Sequence, residues 1–276
     1  MEKEGITLVL SGGTARGLAH IGVIEVLEEN NINIKRIIGV SAGALIGGMY
    51  AAGKLNSFKK EMFNLKSKMN ILKFISFRPS NGALLDIKHF EQPIRKLIDG
   101  IKIETLPIGF VSLAYDLFND RRFIFEEGEL YNAVRASISI PGLFPPFKYN
   151  KSILIDGAFS DSLPIDIARE LFPNDKIVAV NLESGSKITS KNYNLLNVLN
   201  FSINLQLKEN AKSNEKSADL VITPDVVEGK WDFKHMKNII REGRKSAKDA
   251  LLEILKLVAA PNKIKVVDSD SISVAK

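Results

Sequence analysis

The stretch Lys35-Arg36-Ile37-Ile38-Gly39-Val40-Ser41-Ala42-Gly43-Ala44-Leu45-Ile46-Gly47-Gly48 decides the fold. An apolar run climbs to Val40, stops at Ser41, and gives way to small residues and a second apolar run. Gly39-Val40-Ser41-Ala42-Gly43 is Gly-x-Ser-x-Gly between an expected strand and an expected helix, and in that context it reads as a nucleophile elbow. The turn is tight, so the positions two residues to either side of the serine must be small; Gly39 and Gly43 fill them. The hydroxyl is then held up at the sheet edge, with a helix N-terminus beneath it to favour a developing anion. Alone, the pentapeptide fits a Gly-rich strand-to-helix turn equally well, and its surroundings decide between the two.

Upstream, Ile6–Leu10 is a continuous apolar run that reads as a buried parallel strand. Ser11-Gly12-Gly13-Thr14-Ala15-Arg16-Gly17 follows, then a helix-period stretch closed by Glu28-Glu29-Asn30-Asn31. Strand, Gly-rich loop, helix and the strand into Ser41 make a βαβ unit. A Gly-rich loop opening a helix offers backbone N–H groups to an anion: a dinucleotide phosphate, an NTP phosphate or a reaction oxyanion. Gly-x-Gly-x-x-Gly is absent, as is a Gly-Lys-[Ser/Thr] ending, and no acidic residue closes the next strand. The oxyanion reading gains because Ser41 ends that strand, so loop and serine share one sheet edge.

Downstream, the pattern predicts helices over 42–52, 58–69 and 86–98, and a strand over 108–117 with a hairpin arm at 122–125. A short helix over 129–137 leads into Ser139-Ile140-Pro141-Gly142-Leu143-Phe144-Pro145-Pro146-Phe147, whose prolines and glycine demand a rigid apolar loop. Ser152–Ile155 reads as a short strand ending in Asp156-Gly157-Ala158. A helix over 164–172 and strands over 177–182 and 220–223 follow. Residues 193–217 fit strand alternation and helix period alike; length and the charged ending favour helix. A single helix is expected over 237–258. No internal repeat and no long linker divides the chain, so residues 1–260 are expected to form one α/β domain and 261–276 a polar tail.

The 276 residues are 45% hydrophobic and 25% charged, enough to bury a sizeable core. Cysteine is absent, which removes disulfides, thiolate metal sites and a Cys nucleophile. The N-terminus has no basic region followed by a long apolar stretch, and no run approaches a membrane span of ~20 residues; a cytoplasmic protein is expected. The net charge of +6 is concentrated in residues 54–80, where six Lys and one Arg face one Glu. That segment suggests an anionic partner surface, lipid headgroups or nucleic acid, with a solvated basic face as the bland alternative. Residues 70–79 mix Phe, Ile and Leu with cations, as interface-seeking segments do and as a buried lid would. No nucleic-acid motif accompanies the charge.

A nucleophilic serine needs a base and oxyanion donors. Of the three histidines, His20, His89 and His235, none follows a strand end where a hydrolase triad places its base. Asp156 does stand at a strand end, and burial raising its pKa would make it a workable base.

Four ordered stretches carry a resemblance: Ser11–Val23, Gly39–Gly43, Ser139–Pro146 and Asp156–Ala158. In content, order and spacing they resemble the patatin-like phospholipases, in the bacterial branch akin to neuropathy-target esterase; Asp161-Ser162-Leu163-Pro164 and Ala218–Pro224 extend the match. The resemblance implies a three-layer α/β/α sandwich with a mainly parallel central sheet, and a Ser–Asp dyad rather than a triad. By motif match, Ser41 is the nucleophile and Asp156 the base. Backbone N–H groups of Gly13 and Thr14, with Gly12 shaping the loop, form the oxyanion hole. Arg16, Gly39, Gly43 and Gly157 support the site. The implied activity is hydrolysis of fatty-acyl esters of phospholipids or lysophospholipids without metal or cofactor. A lipid-binding module of little or no activity, or an acyltransferase, is the alternative. One departure stands out: the family pattern has Gly where this chain has Thr14. A β-branched residue tolerates φ > 0 poorly, so either the loop keeps φ < 0 there or the hole is distorted. The Thr14 hydroxyl offers a further donor.

Overall fold

A computed structural model describes residues 4–68, 77–80, 83–85, 88–183, 195–227 and 233–260. The expectations for residues 69–76 and for the 261–276 tail lie outside the described residues.

The chain opens with β1 (Ile6–Leu10), every residue of which is buried. A 3-10 turn (Thr14–Leu18) leads into α1 (Ala19–Glu29), and β2 (Ile34–Val40) and α2 (Ala42–Ala51) follow. α3 (Leu55–Lys68), the two-stranded ribbon β3 (Phe77–Ser80) and β4 (Ala83–Leu85), and α4 (Lys88–Ile98) come next. β5 (Gly109–Asp116) and β6 (Arg121–Phe125) form a hairpin, followed by α5 (Leu130–Ser137). The second half contains the hairpin β7 (Phe147–Tyr149) and β8 (Ser152–Asp156), then α6 (Ile165–Leu171) and β9 (Lys176–Val180). α7 (Leu195–Asn214), β10 (Leu220–Ile222), α8 (Met236–Asp249) and α9 (Leu251–Ala259) complete it.

The main sheet runs β10-β9-β1-β2-β5-β8-β7, with β6 paired to β5. The pairings from β10 to β5 are parallel, and those of β5, β8, β7 and β6 antiparallel. Alternate side chains leave opposite faces of a strand. Leu8 and Leu10 therefore join one core with α1, α2, α5 and α8, while Val9 joins another with α6 and α7. This is a three-layer α/β/α sandwich, as the family resemblance implied. Helix α8 clamps α1: a Cβ on Gly22 would lie 2.1 Å from Ile240 O, and one on Gly243 would lie 2.0 Å from Ala19 O. Only glycine lets those backbones touch.

One reading changes. Residues 237–258 are not one helix: Ala250, with ψ −6°, caps α8 and starts α9. Alanine is the strongest helix former, so local pattern runs straight through that break. The helical reading favoured for the ambiguous 193–217 segment holds over its described part, as α7 (Leu195–Asn214).

Candidate active site

The site is built from three strand ends. Ser41 links β2 to α2 with φ 55° and ψ −123°, a conformation that costs on the order of 1–3 kcal/mol in an L-residue. Close packing enforces it. A Cβ on Gly39 would stand 2.6 Å from Gly43 C, and one on Gly43 would stand 2.3 Å from Leu10 O. Serine at a helix N-cap ordinarily folds its hydroxyl back onto the helix, but this one makes no capping bond. Instead Ser41 Oγ donates to Asp156 Oδ2 at 2.5 Å. The Ser41 N–H donates to Ser137 Oγ at 2.8 Å, and Ser137 Oγ donates to Leu113 O at 2.7 Å.

Asp156 ends β8 beside β5, where it pairs with Ala114. Its Oδ1 accepts from Ala158 N at 2.9 Å, which aims Oδ2 at the serine. Its own N–H donates to Ser139 O at 3.0 Å, so the Pro-rich loop fixes the backbone of the carboxylate. That loop is in turn gripped by Arg135, which donates to Ser139 Oγ and Pro145 O and pairs with Glu91. Gly157 passes so close to β5 that a Cβ would meet Leu113 O at 2.5 Å. Ser41 and Asp156 are both buried, at 4% and 2% exposure.

The Gly-rich loop lies alongside. A Cβ on Gly12 would sit 3.5 Å from Ser41 Cβ and 3.4 Å from Ala158 Cβ, and one on Gly17 would strike Ala42 Cβ at 2.3 Å. Ser11 N–H donates to Val180 O and Gly12 N–H to Ser162 O. Thr14 has φ 52°, so the loop does adopt the left-handed conformation despite the β-branch, at a cost of roughly 1–2 kcal/mol. Its hydroxyl donates to Gly13 O at 2.7 Å and is therefore engaged within the loop; the expected additional oxyanion donor is not what the geometry provides. Arg16 is 2% exposed and pairs with Glu183, itself 1% exposed, at 3.4 Å. Burial lowers the Arg16 pKa and Glu183 opposes that shift. The Arg16–Glu183 pair ties the loop to the segment after β9.

His20 is fully buried, with Nε2 on Ser11 O at 2.9 Å. Burial pushes its pKa down to about 4, opposed by the bond to Ser11. It is a neutral strut under the loop. His235 lies exposed just ahead of α8. Of the basic segment, Lys59 donates to Glu25 at 2.5 Å and Lys60 is exposed, while the side chains of Lys66, Lys68, Lys73 and Arg78 lie outside the described residues. A cavity of about 320 Å³ opens at the other end of β2, lined by Lys35, Arg36 and Tyr50, away from Ser41.

Sequence reasoning missed Ser137, Arg135 and Glu183. A serine or arginine on an amphipathic helix looks solvent-facing, and a lone acid after a strand carries no spacing signal. The two closely spaced serines before the Pro-rich loop were the one available hint.

Residues 8–169 match the family model for patatin-like phospholipase. The chain belongs to the patatin-like phospholipase family. It is 37% identical to an uncharacterized NTE family protein of Mycobacterium tuberculosis over 160 residues, 58% of this chain and 44% of that protein. It is 31% identical to Lysophospholipase NTE1 of Meyerozyma guilliermondii over 201 residues, 70% of this chain and 14% of that one. The chain thus spans less than half the length of these curated relatives. Its patatin fold is shared with VipD from Legionella pneumophila, at a TM-score of 0.55 and 13% identity over 91% of this chain and 67% of that one.

Among the described residues no helix is long and apolar enough to cross a membrane.

Proposed function

We propose that this patatin-like chain is a serine esterase that cleaves fatty-acyl esters of phospholipids or lysophospholipids, with residues 1–260 as its hydrolase domain. The observation that carries the reading is the 2.5 Å bond from Ser41 Oγ to Asp156 Oδ2 at a strained elbow. Family membership and the lysophospholipase relative support lipid as the substrate class.

In this reading Ser41 Oγ attacks the acyl carbonyl carbon while Asp156 Oδ2 takes its proton. The carbonyl oxygen becomes an oxyanion held by backbone N–H groups of Gly13 and Thr14, on the loop shaped by Gly12. Collapse breaks the ester C–O bond, and the proton on Asp156 passes to the departing alcohol. Water then attacks the acyl-Ser41 carbonyl, again losing a proton to Asp156, and release of the fatty acid restores the serine. Asp156 does both proton transfers because Oδ1 stays fixed by Ala158 N while Oδ2 faces the hydroxyl. Arg16, Gly39, Gly43 and Gly157 act as supports, through the Glu183 pair and the close backbone contacts.

Purified protein should release fatty acid from phospholipid or lysophospholipid in the presence of EDTA, and Ser41→Ala and Asp156→Asn should each abolish release. Full activity in either variant overturns the reading. Thr14 in the left-handed region favours a second one, a lipid-binding module with little turnover. Covalent labelling of Ser41 by a fluorophosphonate counts against that module. Acyl transfer is separated from hydrolysis by product analysis with added lysolipid.

A further inference from the structure

The catalytic edge of the sheet carries an apolar prominence. Leu113 on β5 is level with Val40, next to Ser41. β5 runs on, so Leu117 lies four residues, about 13 Å, beyond that level. Leu117 N–H donates to Ile153 O at 2.9 Å, which sets the β5–β6 turn at 117–120 beside the β7–β8 turn at Asn150-Lys151. On these tips Phe118 is 75% exposed, Leu117 51% and Ile153 37%. Helix α7 adds to the edge. Ala211 packs with Val9 and Ile38, Leu207 one turn earlier packs with Val40 and Leu113, and a further turn carries Ile203 out past the sheet, exposed.

Hydrogen bonds brace the prominence. Asp116 is fully buried and accepts from Phe118 N at 3.0 Å, Asn119 Nδ2 at 2.6 Å and Ser152 Oγ at 2.5 Å. One carboxylate therefore ties both turns together and holds Leu117 and Phe118 outward. Exposed cations surround them: Arg121 and Arg122 after the first turn, Lys151 in the second, and Lys148 in register with Ile153. The acid on the first tip, Asp120, accepts from Tyr115 Oη at 2.6 Å.

We propose that the paired tips 117–120 and 150–153 seat the protein on an anionic phospholipid bilayer. Phe118 and Leu117 enter the acyl boundary, and Arg121, Lys148 and Lys151 meet headgroup phosphates. Apolar side chains framed by cations favour such an interface, at about fivefold in affinity per cation. The surface is formed by residues outside the basic segment 54–80. It deepens the proposed esterase reading and rests on it for its purpose, because the same sheet edge carries Ser41 and would face the lipid.

The test uses the full chain and vesicles of phosphatidylcholine with or without phosphatidylglycerol. Wild type should cosediment with the anionic vesicles, more weakly at high salt. The double variant Leu117→Ser/Phe118→Ser should bind at least about tenfold more weakly. Phe118→Trp should add a blue-shifted emission on vesicle addition, over the background of the chain's one native Trp. The double variant should keep hydrolysis of a soluble short-chain ester within about twofold, because the tips are far from Ser41, while losing hydrolysis of vesicle phospholipid. If wild type cleaves no ester, the esterase reading fails and the binding measurements still judge the surface. Undiminished vesicle binding by the double variant overturns the proposal. So does an unshifted Phe118→Trp emission, or a dimer formed through these tips without vesicle binding.

Discussion

The Ser41 N–H is held by the Ser137 hydroxyl at 2.8 Å, so a helix 96 residues further along the chain secures the backbone of the elbow. The Ser137 hydroxyl in turn donates to Leu113 O, on the strand beside β2. The strained φ of Ser41 is thus anchored from α5 and β5 together.

Ser137→Ala removes the acceptor for a buried N–H at that strained position. The expected loss of stability is about 1–3 kcal/mol. kcat should fall while KM stays near its original value, because the elbow relaxes and the lipid contacts do not change. Chemical denaturation beside steady-state kinetics checks both; an unchanged kcat argues against the anchoring role.

Gly43→Ala and Gly12→Ala should behave differently. At Gly43 a Cβ would stand within 2.7 Å of three backbone atoms of Leu10 and Ser11, so the sheet must shift, at roughly 1–3 kcal/mol or more. At Gly12 its nearest neighbours would be side-chain atoms at 3.4 Å or beyond, so the fold should persist. That methyl nevertheless stands between Ser41 and Ala158, so activity should drop. Melting temperatures and ester turnover for the pair separate a packing glycine from a site glycine.

Thr14 tests the proposed oxyanion role of the Gly-rich loop. Thr14→Gly relieves the left-handed strain of roughly 1–2 kcal/mol, partly offset by glycine's larger unfolded-state entropy, so stability should rise slightly and activity persist. Thr14→Pro removes the N–H and forces φ negative, and loss of one oxyanion donor typically lowers kcat by ~10²–10³. If Thr14→Pro turns over normally, that N–H takes no part.

His20 makes stability pH-dependent. Its folded pKa of about 4 lies below the ordinary 6.5, so between those values the unfolded chain binds a proton that the native protein does not. Stability should therefore fall as pH drops from about 6.5 towards 4, by about 3 kcal/mol in total. Denaturant melts across that range should show the slope, and His20→Gln should flatten it. Asp116 adds a second, lower step. Burial opposes its ionisation, but hydrogen bonds from Ser152, Asn119 and the Phe118 N–H hold its pKa at about 2. Its contribution, present above the ordinary 3.8, is lost as pH falls through about 2.

Much of the fold was legible because it is local. The apolar runs of β1 and β2, the Gly-rich turns after them and the helices α1 and α2 are each set within a few residues of their own signals. Asp156 was legible as a carboxylate at a strand end ahead of glycine. Ser137, Glu183 and the break at Ala250 were not. Each depends on which distant element packs against it, and neither a polar residue nor an alanine announces that in its own neighbourhood.

The sequence by itself determined the order of strand, loop and helix around Ser41, and where small residues let the chain turn sharply, because close backbone contact admits nothing larger. Only the tertiary structure decided that Asp156, 115 residues away, meets the serine. That meeting requires β5 to lie between β2 and β8 in one particular register. Strand register is set by long-range pairing and core packing, which no short stretch encodes. The same pairing placed Phe118 and Leu117 on the edge that carries the serine, a relation invisible in a linear chain.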